Sequence, residues 1–256
     1  FRRFSSTGRS RGGKLTISYE RYNPFGSLAE RTIGDLDKRT KHGLFGLEAS
    51  FDKRLSGTPG IGLFRVLDDQ TFMPNEDDEG LQPINGFDLY TTIDVNFQDI
   101  AETALRNTLK RYKASYGCVI VMEVPTGEIR AIANLSRDAD SSYRETYNYA
   151  LAGLGNPGST FKLPTMLAAF EEGLPLQRIY HTGNGIAKYS TAVIRDTKKI
   201  GHGSITAQQV FEKSSNVGIH LVMKDYFYGK GEKYVGYLKR FHLRESTGIQ
   251  MRGERS

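Results

Sequence analysis

The sequence contains few of the features that by themselves indicate a particular class of protein. It carries a single cysteine, Cys118, in 256 residues, which excludes an internal disulfide framework. Cys118 lies in the apolar run at residues 118–122, so we expect it to be a small buried hydrophobic side chain. No apolar run approaches the ~18 residues that a membrane-crossing helix needs. The chain begins with Phe1 rather than Met, and we interpret it as cut from a longer polypeptide.

The sequence also has no strong excess of charge of one sign and no spacing typical of metal ligands. The 35 basic and 29 acidic residues leave a net charge of +6, which is too modest to indicate nucleic-acid binding. The five histidines show no ligand spacing, so we expect no metal site. What remains is an ordinary globular composition, with enough residues for one large domain or two modest ones.

The pattern along the chain predicts two regions that meet at residues 86 and 87. Residues 1–86 are rich in glycine and turn signals, which indicates β-structure with irregular connections. Beyond the boundary, Asp94 is a suitable N-cap for a helix that runs to about residue 113. Apolar strands at 117–124 and 128–135, joined by Pro-Thr-Gly, predict an antiparallel pair.

The most informative motif is Ser159 followed three residues later by Lys162, at the predicted start of a helix. Residues three apart share a helix face, so the lysine amine can reach the serine hydroxyl. The helix N-terminus and a dry cleft both disfavour a cation there, so we expect the pKa of Lys162 to be lowered. A neutral amine beside a hydroxyl is the arrangement of an activated serine nucleophile.

A second motif, Lys-Ser-Ser-Asn-Val-Gly, occupies residues 213–218. Upstream, residues 174–203 are predicted to have no regular secondary structure. Thr206 then begins a capping box for a short helix, and a further helix is predicted from about 217 to 228. Ser214 and Asn216 would therefore lie in a tight turn between helices, where both side chains can point into one cleft. S-x-x-K followed by S-x-N is the order found in penicillin-binding proteins and class A β-lactamases.

With these motifs, the sequence resembles a class B penicillin-binding protein, most closely the division-specific transpeptidase type. The resemblance covers nearly the whole chain and rests on strings that occur in the family's order, at residues 21–34, 43–48 with 55–60, 89–94, 157–162 and 214–218. It implies an α+β fold. Residues 87–256 would form the N-terminal portion of a transpeptidase domain of the penicillin-binding-protein/β-lactamase type, an antiparallel sheet flanked by helices. Residues 1–86 would form part of a β-rich pedestal of the dimerisation type.

The resemblance also implies a reaction. Ser159 would attack the penultimate D-Ala carbonyl of a peptidoglycan stem peptide, and Lys162 would take its proton. Ser214 would relay a proton to the departing D-Ala, and Asn216 would hold the substrate amide and the Lys162 ammonium. The Ser159 N–H would supply half of the oxyanion hole. An amine from a neighbouring stem peptide would complete the cross-link, and β-lactams would acylate the same serine. No metal or cofactor is needed for this acyl transfer.

The family's setting is the cytoplasmic membrane. An N-terminal helix, absent from this chain, would cross the membrane once and leave the catalytic domain on the periplasmic or extracellular side. The implied partners are a septal glycan polymerase and other division proteins, with no role for nucleic acid.

One family element is missing. No Lys-Thr-Gly string occurs, and the nearest sequence is Glu-Ser-Thr-Gly at 245–248. In the family this string lines the cleft and binds the substrate carboxylate. We therefore expect the 256 residues to end before the catalytic domain is complete and not to catalyse cross-linking.

Three alternatives remain open. Residues 153–158 fit the dinucleotide-binding pattern G-x-G-x-x-G, although Pro157 would strain the phosphate turn and the preceding residues are too polar for a buried strand. A β-lactamase would share both serine motifs but would need a deacylating base beyond S-x-N and no pedestal. A non-catalytic transpeptidase-like scaffold or sensor is the third possibility, against which the intact Ser159, Lys162, Ser214 and Asn216 argue.

Overall fold

The computed structural model describes residues 2–5, 16–19, 21–61, 64–66, 72–74, 81–189, 191–197 and 200–255. The chain divides into two compact units. The first comprises Phe1–Gly153 with Gln250–Arg255, and the second comprises Leu154–Ile249. The predicted domain boundary at residues 86 and 87 lies inside the first unit and stays a prediction.

The first unit combines short strand pairs, short helices and one long helix. Its elements in chain order are β1 (Arg2–Ser5), β2 (Thr16–Tyr19), α1 (Glu30–Ile33), α2 (Gly46–Ser50), α3 (Asp52–Leu55), β3 (Phe64–Val66), β4 (Phe72–Pro74), α4 (Val95–Tyr112), β5 (Tyr116–Met122), β6 (Ile129–Arg137), β7 (Tyr143–Arg144) and α5 (Tyr149–Ala152). Strands β1–β2 and β3–β4 form antiparallel pairs, and β5–β6–β7 form an antiparallel sheet. The described residues between 21 and 61 contain three short helices, within a region that the sequence pattern predicted to be β-rich with irregular connections.

The sheet β5–β6–β7 carries the core of this unit. The centre of β6, from Ala131 to Leu135, is buried on both faces. On one face, Leu105 and Leu109 of α4 pack against Ala133 and Leu135. The predicted strands at 117–124 and 128–135 are confirmed as the antiparallel pair β5–β6.

Cys118 is exposed, so the prediction that it is buried was wrong. Strand β5 alternates between its faces, and the face that includes Gly117 and Val119 packs on α4. Cys118, Ile120 and Met122 lie on the opposite face and are exposed. A continuous apolar run therefore does not imply burial on both faces when the strand lies at a sheet edge.

Helix α4 begins where the sequence predicts. The Asp94 carboxylate accepts hydrogen bonds from the N–H groups of Asn96 and Phe97, as an N-cap does. On the buried face, Gln98 takes a core position because its side-chain amide pairs with the backbone N–H and C=O of Ile132, both at 2.8 Å. A buried polar group is tolerated when its hydrogen bonds are satisfied in this way.

The second unit surrounds the serine motifs. Its elements are a 3-10 turn (Gly158–Phe161), α6 (Lys162–Glu171), β8 (Ile179–Gly183), β9 (Ile186–Tyr189), β10 (Ala192–Arg195), β11 (Gly203–Thr206), α7 (Ala207–Glu212), α8 (Asn216–Phe227) and α9 (Gly231–Arg240). Strands β8–β11 and β9–β10 form antiparallel pairs. The core joins α6, α7 and α8 through Met166, Ala169, Val210 and Val222.

The described residues between 174 and 203 are not irregular, contrary to the sequence prediction. They supply β8, β9, β10 and the first residue of β11. Gly183, Gly185 and Gly201 have φ values of +54°, +78° and +68°. Glycine adopts this left-handed region without the steric penalty of other residues. The glycines that suggested a structureless stretch therefore lie at the end of β8 and in the connections between short strands.

The helices that follow agree with the sequence. Thr206 and Gln209 form the predicted capping box of α7, and α8 begins at Asn216. Within the part of the chain that the structure describes, no helix is both long and apolar enough to cross a membrane.

Candidate active site

Lys162 is the first residue of α6 and is largely buried, with 9% of its surface exposed. Its Nζ donates hydrogen bonds to the carbonyl oxygen of Ser214 at 2.6 Å and to Ser214 Oγ at 2.9 Å. The structure therefore brings together one residue from each serine motif, 52 positions apart.

The pKa of Lys162 is lowered, in the direction expected from the sequence. The cause is burial, which penalises the charged ammonium, and the negative charge of Asp196 opposes it. A lowered pKa increases the fraction of neutral amine, which is the form that can accept a proton from a hydroxyl group.

Ser159 lies in the 3-10 turn immediately before α6 and is exposed. The backbone N–H of Lys162 donates to the carbonyl oxygen of Ser159, so the main chain fixes the spacing of the two residues. Within the described residues, no hydrogen bond joins Ser159 Oγ to Lys162 Nζ, because the lysine side chain is directed to Ser214. The hydroxyl of Ser159 is therefore open to an incoming molecule.

The second motif forms a bend between α7 and α8. Ser214 has a φ of +51°, in the left-handed region. Ser215 is fully buried and caps α8, its Oγ accepting the N–H of Gly218 at 2.8 Å. Asn216 is the first residue of α8, and its Nδ2 donates to the carbonyl oxygen of Arg195 at 2.7 Å. Among the described residues no hydrogen bond joins Asn216 to Lys162, so the expected contact between them stays a prediction.

Sequence reasoning missed one residue of the site, Asp196. This aspartate follows β10 and is buried, with 8% of its surface exposed. Its carboxylate accepts hydrogen bonds from Ser215 Oγ at 3.0 and 3.1 Å and from the N–H of Val217 at 3.0 Å. No local motif marks Asp196, since the fold alone brings it to a bend 19 residues further along the chain.

The arrangement offers an exposed hydroxyl, a buried amine with a lowered pKa and a second hydroxyl in contact with that amine. These are the groups that serine acyl transfer requires. Among the described residues, no group of histidine, cysteine, aspartate or glutamate side chains could hold a metal ion.

Comparison with known proteins places this site in a family. The model of the penicillin binding protein transpeptidase domain matches residues 117–256, which include both serine motifs. Stage V sporulation protein D of Bacillus subtilis is 33% identical over 243 residues, which are 91% of this chain and 37% of that protein. Peptidoglycan D,D-transpeptidase FtsI of Escherichia coli K12 is 28% identical over 263 residues, with coverages of 96% and 41%. The chain thus spans about two-fifths of the length of these relatives.

Solved structures agree with the sequence matches. Penicillin binding protein 3 of Mycobacterium tuberculosis has a TM-score of 0.72 at 26% identity, covering 99% of this chain and 52% of that one. A peptidoglycan synthetase of Bifidobacterium adolescentis has a TM-score of 0.75, with coverages of 94% and 44%; at 23% identity it supports the fold alone. Because the family match covers more than half of its residues, the chain belongs to the penicillin-binding protein transpeptidase family, and its resemblance to the class B members is confirmed.

Proposed function

We propose that the protein is a peptidoglycan D,D-transpeptidase that cross-links stem peptides by acyl transfer through Ser159. The observation that carries the proposal is the contact of the buried Lys162 amine with the Ser214 hydroxyl, beside an exposed Ser159. The FtsI relative of Escherichia coli, which is named as a peptidoglycan D,D-transpeptidase, supports the same reaction.

In the first half of the reaction, Ser159 Oγ attacks the penultimate D-Ala carbonyl and its proton passes to the Lys162 amine. The bond to the terminal D-Ala nitrogen then breaks, and Ser214 relays a proton from Lys162 to that departing amine. The product is an ester between Ser159 and the shortened stem peptide, with free D-Ala released. The lowered pKa of Lys162 and its contact with Ser214 support these two proton transfers.

In the second half, the amine of a neighbouring stem peptide attacks the ester. An amide forms between the two peptides, and the proton lost by the attacking amine returns through Lys162 to Ser159. β-Lactams enter the first half only, since the opened ring stays attached to the enzyme and blocks the second amine.

The test is labelling of the full-length protein with a fluorescent penicillin. Ser159→Ala should abolish labelling, and Lys162→Ala should slow it by roughly a thousandfold or more because the proton acceptor is lost. Ser204→Ala, an exposed serine on β11, is the matched control and should label normally. Failure of the wild-type protein to label would refute the proposal.

The lifetime of the labelled enzyme separates the alternatives. A transpeptidase should hold the penicilloyl group for many minutes, whereas a β-lactamase would release it within its catalytic cycle. A scaffold would keep its cellular role when Ser159→Ala replaces the wild-type protein, whereas a transpeptidase would lose it.

The cellular setting is part of the proposal. We infer that the full-length protein acts in septal wall synthesis, is held in the cytoplasmic membrane by a single N-terminal helix, and works with a glycan polymerase and other division proteins. Residues 1–86 would belong to the pedestal that raises the catalytic domain above the membrane. A fluorescent fusion should concentrate at the division site, and an even distribution around the cell would contradict the septal role.

We also propose that these 256 residues alone acylate far more slowly than the full-length protein. They contain no Lys-Thr-Gly string, which in the family binds the carboxylate of the substrate. Measuring the second-order acylation rate of both polypeptides with the same penicillin tests this, and equal rates would contradict it.

A further inference from the structure

A buried carboxylate lies behind the serine bend, and the reaction above gives it no step. Asp196 accepts hydrogen bonds from two donors: the Ser215 hydroxyl, whose Oγ lies 3.0 and 3.1 Å from the two carboxylate oxygens, and the Val217 N–H. The neighbouring carbonyl oxygen of Arg195 accepts the side-chain amide of Asn216. The segment of residues 195–196 therefore contacts each of the three residues that follow Ser214.

These contacts hold a backbone conformation that would otherwise be disfavoured. Ser214 has a φ of +51°, in the left-handed region that steric contacts disfavour for a non-glycine residue. Such a residue persists where the surrounding structure determines it. On one side Lys162 binds both the carbonyl and the hydroxyl of Ser214. On the other side the bend is held by Asp196.

The charge of Asp196 has two counterparts. One is the positive end of α8, because the carboxylate accepts an N–H of its first turn. The other is Lys162, whose pKa is lowered by burial and raised in part by Asp196. The negative charge of Asp196 thus opposes the lowering of the Lys162 pKa that burial causes. Among the described residues, no hydrogen bond joins the two side chains.

We propose that Asp196 is a positioning residue for acyl transfer. Its carboxylate fixes the Ser214 hydroxyl against Lys162 through the bend, and its charge balances the ammonium that forms when Lys162 takes the Ser159 proton. This inference rests on the proposed function, because it assigns a role within the same reaction.

Other titratable groups occur on the elements packed against α6. They are Glu212 of α7, His220, Lys224, Asp225 and Tyr226 of α8, and Glu232, Lys233, Tyr234, Tyr237, Lys239 and Arg240 of α9. Lys233 and Arg240 pair with Glu172 and Glu171 at the far end of α6, and Asp225 pairs with Arg178. Asp196 is the charged group that acts on the pKa of Lys162.

The experiment measures the acylation rate of the full-length protein by a fluorescent penicillin from pH 5 to 10. In the wild-type protein the rate should rise as Lys162 becomes neutral. Asp196→Asn keeps a side-chain oxygen for the Val217 N–H but removes the charge, so the pKa of Lys162 should fall. The rise should then move to lower pH, with a lower maximal rate.

Two further variants separate charge from structure. Asp196→Glu keeps the charge on a longer side chain, so it should acylate more slowly but with the rise at the wild-type pH. Asp225→Asn removes a carboxylate of the same sign from α8, away from the bend, and should change neither rate nor profile. Thermal unfolding of each variant, followed by circular dichroism, identifies any that does not fold.

The outcomes are distinct. If the wild-type protein is not acylated, the proposed function fails. If it is acylated and the Asp196→Asn profile coincides with the wild-type profile, the role of Asp196 is overturned and the function stands. Should Asp196→Asn not fold, Asp196→Glu decides. If its acylation rate rises at a different pH from that of the wild-type protein, the proposed charge effect of Asp196 on Lys162 is overturned. If the rate rises at the same pH but is slower, the proposal is supported.

Discussion

Glu145 is a residue of the first unit at which burial opposes the charge of the side chain. Its side chain is 8% exposed and accepts the backbone N–H of Arg31 at 2.7 Å and that of Asn134 at 2.8 Å. Burial nevertheless raises the pKa of Glu145 to about 7, and the nearby carboxylates of Glu102 and Glu30 add to the rise. The two N–H donors lower the pKa but do not compensate for the lost water.

This raised pKa makes the stability of the protein depend on pH. Between pH 4.5 and about 7 the folded state keeps a proton on Glu145 that the unfolded chain has released. Stability contributed by the neutral form is therefore full below pH 4.5 and is lost as the pH rises to 7, by about 3 kcal/mol. Denaturant unfolding of the wild-type protein at pH 5 and pH 8 should show this loss.

The matched variant isolates the group responsible. Glu145→Gln cannot ionise, so the difference in unfolding free energy between pH 5 and pH 8 should shrink by most of that amount. Asp99→Asn, an exposed carboxylate on α4, should leave the difference unchanged. A Glu145→Gln variant with the full wild-type pH dependence would assign the effect to another group.

At the scale of elements, the contact between α7 and α8 sets the position of the serine bend. A Cβ atom on Gly218 would lie 2.6 and 2.7 Å from the two methyl carbons of Val210 and 3.1 Å from Ser215 Oγ. The absence of a side chain at Gly218 therefore lets α8 approach α7 closely enough for Ser215 to cap it.

Gly218→Ala should separate the two helices and disturb the bend. We expect a loss of about 1–3 kcal/mol in unfolding free energy from overpacking, together with slower acylation in the full-length protein. Gly236→Ala on α9 is the control, because no atom lies within 4 Å of its added Cβ. That change should stabilise the helix by about 0.5–1 kcal/mol and leave acylation unaltered. The same sign of effect at both positions would contradict the packing argument.

Elements with strong local signals were predictable from the sequence. The Asp94 cap, the Pro-Thr-Gly turn and the Thr206 capping box each act within a few residues. The structure contains the four elements that they begin or join, which are α4, β5, β6 and α7. The strands β8 to β10 were not predictable. The glycines between residues 174 and 203 fit tight turns between strands and an irregular loop equally well. The helix α9 was missed as well, because no N-cap side chain marks its start.

The site was predictable only in part, and for a related reason. Lys162 and Ser214 belong to short motifs whose chemistry can be read locally. Asp196 is linked to the bend only by tertiary hydrogen bonds. The direction of the Asn216 amide depends on the carbonyl oxygen of Arg195, which no sequence pattern places there.

At the scale of the whole molecule, β5 is an exposed edge. It pairs with β6 on one side, and within the described residues no strand pairs with its other side. Ile120 and Met122 are 50% and 54% exposed on its outer face. An apolar strand with free backbone groups is a template for pairing with another chain.

The 256-residue chain produced alone should therefore self-associate as its concentration rises. Ile120→Lys should reduce light scattering at high concentration, because a charge on an edge strand opposes pairing. Ile200→Lys changes an isoleucine that is 76% exposed outside any strand, and it should have a much smaller effect. Equal effects would indicate that net charge rather than the β5 edge controls association.

The hydrogen bond from Lys162 to the Ser214 carbonyl, at 2.6 Å, is shorter than the one to the hydroxyl. Every amino acid has that carbonyl, so a library of all side chains at position 214 would leave the lysine tethered. Under the proposed mechanism, a substitution at this position would thus act on the proton relay and not on the position of the base. To displace the base itself, a mutation would have to turn the peptide plane.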